Sequence, residues 1–475
     1  MRCAARLRRI FIGDRAFYRT VLVIVVPVVI QNSLTNLVSL LDSIMVGQLG
    51  TAAMSGVTVA NQLLFVFNLC IFGGLSGPSI FGAQFYGAGD LEGLRNTLRI
   101  KLWIAFALLL GALSIYSLWG GALIQSFLTG EGDPLLTAGT LKNGLDFLNL
   151  MLVGLLPFAL SQCYSGTLRE SGETVLPMLA SGWAVLFNLL ANWVLIYGKL
   201  GFPAMGVKGS ALATVLARFL ELGILAWGVR RRQRFAFLKG VWRTLKVPLP
   251  LLRQVMEKGM PLLVNEALWS LGMTVLMGIY SMRGQMILAG LNVSSNIINL
   301  FNVVYLSMGN AVAVLIGQAL GANDLERART DVWKLLFFSF SCCVAIGALL
   351  AFLSPVIPHL YDAEAAVYPL AARFILASAC FMPINAITHC CYFTLRSGGS
   401  TLVTFLFDCV YTWAVAIPVA FLLVRFTSLD ILIVYPMCQA VDVLKCAIGL
   451  FLVRKGVWIR NIVSQPAPGI AAEEA

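Results

Sequence analysis

Shifting the sequence against itself by 234 positions, so that Pro27 falls on Pro261, aligns it without a gap as far as Glu92 on Glu326. The pairing sets Gly50 on Gly284, Gly56 on Gly290 and Phe67-Asn68 on Phe301-Asn302, and brings AQFYGAGDLE at 83–92 onto GQALGANDLE at 317–326. Farther along the offset becomes 227, with TLRESGET from Thr167 lying on TLRSGGST from Thr394. Each copy therefore spans roughly 200 residues, well beyond the period of a solenoid repeat. The duplicated unit is a whole bundle.

Composition says where such bundles reside. With 59% hydrophobic and 12% charged residues, the chain carries about half the charge of a soluble domain. A spanning helix needs ~20 apolar residues to cross ~30 Å of hydrocarbon. Runs of that kind start near Thr20, Ser55, Leu98, Leu145, Val175 and Val207, and again near Gly259, Ile287, Val332, Pro369, Thr401 and Ile431. The expectation is an all-α polytopic membrane protein with twelve transmembrane helices in two pseudo-symmetric six-helix lobes. The boundaries are a first lobe at 1–229, a basic connector at 230–256, a second lobe at 257–455 and a tail at 456–475. The Arg-rich start before Thr20 has the look of a targeting segment. The apolar run after it has a counterpart in the second copy, so it is read as a span.

The formal charge of +12 does not predict a nucleic-acid partner, because the basic residues gather at one set of loops. Arg2, Arg6, Arg8, Arg9 and Arg15 precede the first span, and the connector holds Arg230, Arg231, Arg232, Arg234, Lys239, Arg243, Lys246, Arg253 and Lys258. By the positive-inside rule both termini and the connector are cytoplasmic. The expected location is a plasma membrane, a bacterial inner membrane, and the same basic face suits anionic lipid. The cysteines form no C-x-x-C pair, the two histidines lack metal-ligand spacing, and no G-x-x-x-x-G-K is present. No cofactor is expected.

A charge inside a span costs ~2.5 to 3.5 kcal/mol on insertion scales, so the acids that remain are functional candidates. Asp42 on the first helix follows Asn32, Asn36 and Ser39 at helical spacing, a polar stripe that cannot face lipid. Glu266 on the seventh helix continues through Ser270 and Thr274, and repeat register sets it opposite Asn32 rather than Asp42. Asp408 on the eleventh helix is matched by Ser181. Asn188 and Asn192 lie one turn apart on the fifth helix. Ser295, Asn299 and Asn302 share a side of the eighth, and Asn385, His389 and Tyr392 a side of the tenth. Each group alone serves helix association; together they predict a wet cavity. Nearby Met and aromatic residues suit a flat apolar cation.

LLDSIMVGQLG at 40–50 with ANQ at 60–62, then FNLLANWVLIYG at 187–198 and NEALWSLG at 265–272, resemble the multidrug and toxic compound extrusion (MATE) transporters. The likeness runs from about Pro27 to Leu452. It implies a two-lobe antiporter, acting as a monomer, that expels organic cations and other amphipathic compounds on a Na⁺ or H⁺ gradient by alternating access. One branch of the family carries coupling residues at positions that here read Asp42, Asn188, Asn192 and Thr214. Where that branch has a carboxylate, this chain has Asn192. With Asp42 the sole acid of the cluster, a Na⁺ held by Asp42 and Asn188 and a proton on Asp42 are both open. The resemblance makes Glu266 a cation or substrate residue, with Ser270, Asn299, Asn302, His389 and Asp408 around it. Two rivals stand beside it. A lipid-linked saccharide flippase would line its cavity with cations, for which the spans offer few candidates, Arg218, Arg373 and Lys445. An intramembrane enzyme would need clustered His and acids or H-E-x-x-H or G-x-S-x-G, all absent from the sequence.

Overall fold

The computed structural model describes residues 11–128, 134–360 and 365–464. Among the described residues, twelve helices are long and apolar enough to cross a membrane. In the first copy they are α1 (Arg15–Gly47), α2 (Thr51–Gly87), α3 (Leu91–Phe127), α4 (Pro134–Glu170), α5 (Val175–Tyr197) and α6 (Val207–Arg231). The second copy supplies α7 (Leu249–Ser281), α8 (Gln285–Gly321), α9 (Leu325–Leu353), α10 (Val367–Ser397), α11 (Thr401–Phe426) and α12 (Ile431–Lys455). The helices stop where the sequence offers a left-handed residue or a cap. Gly50 and Gly284, equivalent in the repeat, sit at φ +105° and +130° between the first two helices of each copy, a region closed to most side chains. Asp324 and Asp430 cap α9 and α12 by accepting from the Arg327 and Leu432 N–H groups.

The chain divides into two compact units, one of 30–82 and 91–252, the other of the described parts of 1–29, 83–90 and 253–475. In the first, α6 packs against α4 and α5, and α3 against α4. Its connector is not a free loop. Phe235, Phe237, Leu238 and Val241 are buried in short 3₁₀ turns at Gln233–Leu238 and Val241–Arg243. Arg95 Nε donates to the Phe237 carbonyl at 2.8 Å, and Trp242 Nε1 to Tyr164 Oη at 2.7 Å. Glu173 caps α5 through the Leu176 N–H and pairs with Arg234.

In the second unit α10 is central, packed on α8, α9 and α12. Its largest apolar cluster gathers Val21 and Ile24 of α1 with Met308, Leu335, Phe393 and Trp458. At the ends of α2 and α8 the helices approach reciprocally. A Cβ on Gly87 would fall on the Gln318 backbone, and one on the equivalent Gly321 on the Gln84 backbone. Buried Gln84 donates to the Ser397 and Arg460 carbonyls at 2.8 and 3.2 Å and accepts from the Ile462 N–H at 2.9 Å. It fastens the segment after α12 beneath α10. Helix α11 is irregular, with π-helical turns at Leu406–Val410 and Thr412–Ala416. Pro418 follows directly; it lacks an N–H and its ring crowds the carbonyl four residues back. Such widened turns gather at functional positions, and Asp408 stands in the middle of the first.

Candidate functional site

Helices α5 and α6 can bring small polar side chains together because Gly209 lies on the end of α5. A Cβ there would stand 2.6 Å from the Leu195 carbonyl. Tyr197 Oη, on the last turn of α5, donates to Gln48 Oε1 at 2.7 Å just past α1. Between these fastenings lie Asp42, Asn188, Asn192 and Thr214. Asn192 Nδ2 donates to Asp42 Oδ1 at 2.6 Å. With its amide nitrogen toward the acid, Asn188 donates to both Asp42 oxygens at 3.1 Å, while its oxygen accepts from Thr214 Oγ1 at 3.2 Å. Asn192 is fully buried, and its Oδ1 has no hydrogen-bond partner among the described residues. Two amides thus donate to one carboxylate, and no Lys or Arg of the described residues pairs with it. Such a half-buried carboxylate is able to take a proton or a metal cation. The orphan Asn192 oxygen is a ready acceptor for either.

A second polar junction lies in the same unit. Gln31 Nε2 of α1 donates to Ser181 Oγ of α5 at 2.6 Å, and Ser181 Oγ donates to Glu221 Oε1 of α6. Arg169 Nη2 of α4 donates to Gln31 Oε1 at 2.8 Å. The stripe expected along α1 therefore engages Gln31, next to Asn32. Arg218 Nη1 donates to the Gly154 carbonyl at 3.2 Å and its guanidinium lies over Phe158. Lys101 and Glu170 form a buried ion pair, Nζ to Oε1 2.5 Å, with Lys101 fully enclosed.

In the other unit Glu266 and Asp408 join one network. Tyr392 O–H donates to Glu266 Oε1 at 3.1 Å. Asn265 Nδ2, one residue before Glu266, donates to Asp408 Oδ2 at 3.0 Å and toward Tyr392 Oη at 3.4 Å. Lys445 Nζ of α12 donates to Asp408 Oδ1 at 2.7 Å. His389 is held among rings, 5.3 Å from Tyr305 and 4.9 Å from Phe393 between centroids. Among the described residues no side-chain hydrogen bond ties Ser270, Asn299 or Asn302 to this network, and Asn299 is exposed. Thr274 Oγ1 bonds back to the Ser270 carbonyl at 3.1 Å instead of extending a polar face.

The repeat relates the two junctions residue by residue. Gln31 corresponds to Asn265 at offset 234, and Arg169 and Ser181 to Arg396 and Asp408 at offset 227. Glu221 corresponds to Lys445 at offset 224, the shift that lays Val207–Arg231 on Ile431–Lys455. Both copies join equivalent helices, but the acid has moved from the α6 position to that of α11, and a lysine stands where Glu221 was. The Asp42 cluster has no such twin. Its counterparts are Leu276, Val415, Val419 and Cys438.

Three acids are too few for the spans, since Glu221 on α6 and Asp442 on α12 also lie within them. The missed members, Gln31, Arg169 and Glu221, sit on apolar helices where no local pattern marks them, while Lys445 and Asn265 stood out only as an intramembrane cation and as the start of NEALWSLG. The one available signal was the repeat itself, which sets Gln31 on Asn265 and the Arg of TLR on its copy.

The family model described as MatE matches residues 27–194 and 261–422. A probable multidrug resistance protein NorM of Thermotoga maritima is 24% identical over 443 residues, covering 92% of each chain. The multidrug resistance protein PmpM of Pseudomonas aeruginosa is 27% identical over 423 residues, covering 86% of this chain and 84% of that one. A solved MOP superfamily transporter from Pyrococcus furiosus superposes with a TM-score of 0.82 at 20% identity, over 95% of this chain and 97% of that one. A second, an outward-facing multidrug resistance MATE family transporter, gives 0.81 at the same identity and coverage. With twelve apolar spans and a match over both copies, this integral membrane protein belongs to the MatE family.

Proposed function

We propose that the chain is a secondary active antiporter that exports small amphipathic organic cations, drugs among them, in exchange for H⁺ or Na⁺. The observation that carries the proposal is the Asp42 cluster, a carboxylate held by two amides from α5 and paired with no cationic side chain. Its charge has to be met by something that comes and goes. A proton on Asp42 turns one oxygen into a donor, which cannot face two amide N–H groups. One amide must then rotate to offer its oxygen, and Asn192 Oδ1 has no bond to give up in doing so. A Na⁺ would demand the same rotation, because it takes oxygen ligands. Either ion therefore repacks α1 against α5.

A ligand shifts a two-state equilibrium only by its differential affinity, and near-complete switching takes ~5.5 kcal/mol. Two charge-assisted hydrogen bonds at about 1.5–3 kcal/mol each are of that order. The multidrug names of the relatives support export of drugs. Further support for a cation substrate comes from the basic residues that a flippase would use. Arg218 is bonded to a carbonyl, Lys445 is paired with Asp408 and Arg373 is exposed. The protein works as a monomer in the plasma membrane, with the basic connector and both termini in the cytoplasm.

The test is dequenching of a cationic dye in proteoliposomes, with an imposed sodium step compared with an imposed pH step. Wild type should respond to one of the two and Asp42→Asn to neither. Full gradient-driven efflux from Asp42→Asn would remove the cluster from the mechanism.

A further inference from the structure

Two bonds that tie α1 to α5 close the same separation, because Gln31 and Ser181, like Asp42 and Asn192, lie 150 residues apart. The interval along one helix therefore equals the interval along the other. It amounts to about three turns, ~16 Å, which returns each helix to the same face. No proline interrupts either stretch, since Pro27 precedes Gln31 and Pro177 precedes Ser181. The two helices thus lie side by side as unbroken rods with two polar layers between them. Helix α6 joins both layers, through Thr214 in the layer of Asp42 and through Glu221, about two turns on, in the layer of Gln31.

The layers differ in their freedom. In that of Gln31 the hydrogen bonds run one way, from Arg169 to Gln31 Oε1, from Gln31 Nε2 to Ser181 Oγ, and from Ser181 Oγ to Glu221. A guanidinium only donates and a carboxylate only accepts, so the amide and the hydroxyl between them have a single orientation. Gln31 and Ser181 are buried. The charged groups acting on Glu221 are Arg169 of α4 and Arg218, one turn back on α6. In the layer of Asp42 no described cation fixes the two amides, and Asn192 Oδ1 has no partner among the described residues. One layer is locked and the other can switch. The second copy has a counterpart of the locked layer at Asn265 and Asp408, but none of the switching one.

Resting on the reading of Asp42 as the coupling acid, we infer that Arg169, Gln31, Ser181 and Glu221 are positioning residues that fix α1 on α5 and thereby set the ion affinity of Asp42. Because the helix between the layers is unbroken, a rotation of α1 that lets the amides turn about Asp42 has to move Gln31 as well. The locked layer resists that rotation. It holds Asp42 in its ion-free arrangement, and an ion binds only by working against it.

The experiment measures half-saturating proton and sodium concentrations for dye efflux from proteoliposomes. Ser181→Ala removes the smallest link of the chain and should lower the midpoint for the driving ion by about three- to tenfold, the worth of one hydrogen bond. Ser181→Thr, which keeps the hydroxyl, should keep the wild-type midpoint. A purely structural role would lower the rate and leave the midpoint in place. If Ser181→Ala does not fold, Gln31→Leu breaks the same chain and should give the same shift. An unchanged or raised midpoint in the folded variant overturns the inference.

A second measurement needs no transport. Melting temperatures in detergent are compared for Ser181→Ala, Asn192→Ala and their combination. Sites ~16 Å apart with no shared partner add their effects, whereas here the combination should lose less than the two single losses together. Additive losses overturn the inference even where dye efflux is normal. Sub-additive losses in a protein whose wild type exports no dye on either gradient would retain the coupled layers and discard the antiport reading.

Discussion

Asn192→Ala tests the coupling cluster more sharply than loss of the acid, because it leaves the charge in place and removes one of its supports. The Asn192 Nδ2 bond to Asp42 Oδ1 is 2.6 Å long and part-buried, with Asn192 enclosed and Asp42 half-buried. A hydrogen bond to a charged group of this kind is worth about 1.5–3 kcal/mol, or roughly 10- to 150-fold in an equilibrium between ion-free and ion-bound Asp42. The direction depends on the ion. For a proton, the bond favours the ion-free carboxylate, so the half-saturating proton concentration for efflux should fall by at least tenfold in Asn192→Ala. For Na⁺ with Asn192 Oδ1 as a ligand, the half-saturating sodium concentration should rise by a similar factor. Initial rates of dye efflux across a series of pH and sodium steps measure both. Combining Asn192→Ala with Asp42→Asn should add nothing to the loss from Asp42→Asn, since the bond acts only through the acid. A midpoint that stays at the wild-type value for both ions would refute the reasoning.

Other outcomes follow from the same geometry. Lys101→Met removes the ammonium paired with buried Glu170 and should cost about 3–5 kcal/mol, while Lys101→Met with Glu170→Leu should restore most of the thermal stability in detergent. Gln84→Ala removes two bonds to the segment after α12 and one to the end of α10, and should increase proteolysis beyond Gly456 several-fold, with little change at the connector; equal cleavage of wild type would count against the fastening. Gly321→Ala should lower expression and melting temperature because its Cβ would land on the Gln84 backbone. Gly111→Ala, facing open space inside α3, should be neutral or stabilise by about 0.5–1 kcal/mol.

Architecture was readable from the linear chain, and the candidate sites only in part. The repeat, the run lengths and the polar spacing pointed to twelve helices and singled out Asp42 and the Asn188–Asn192 pair, whereas the resemblance to the MATE transporters joined them with Thr214 as one group. The structure brings those four side chains together. Lys445 and Glu221 are a different case. Each is a charge near the middle of an apolar run, and nothing local says whether it snorkels, pairs or faces a cavity. Asn32 was favoured over Gln31 for the same reason, since the two lie about 100° apart on α1, and packing decides which side turns inward.

Helix number, length and duplication are set by the order of apolar residues, because crossing hydrocarbon depends on each segment's own composition and on saturating its own backbone. Which side chains meet is a different kind of fact. The bonds from Asn192 to Asp42 and from Asn265 to Asp408 close separations of 150 and 143 residues. Their partners are selected by the rotation of each helix, by close approaches such as Gly209 on Leu195, and by the widened turns of α11. The inversion of charge between Glu221 and Lys445 was written in the sequence, but its meaning was not. Only the folded helices bring that lysine onto an aspartate and leave Asp42 with amides alone.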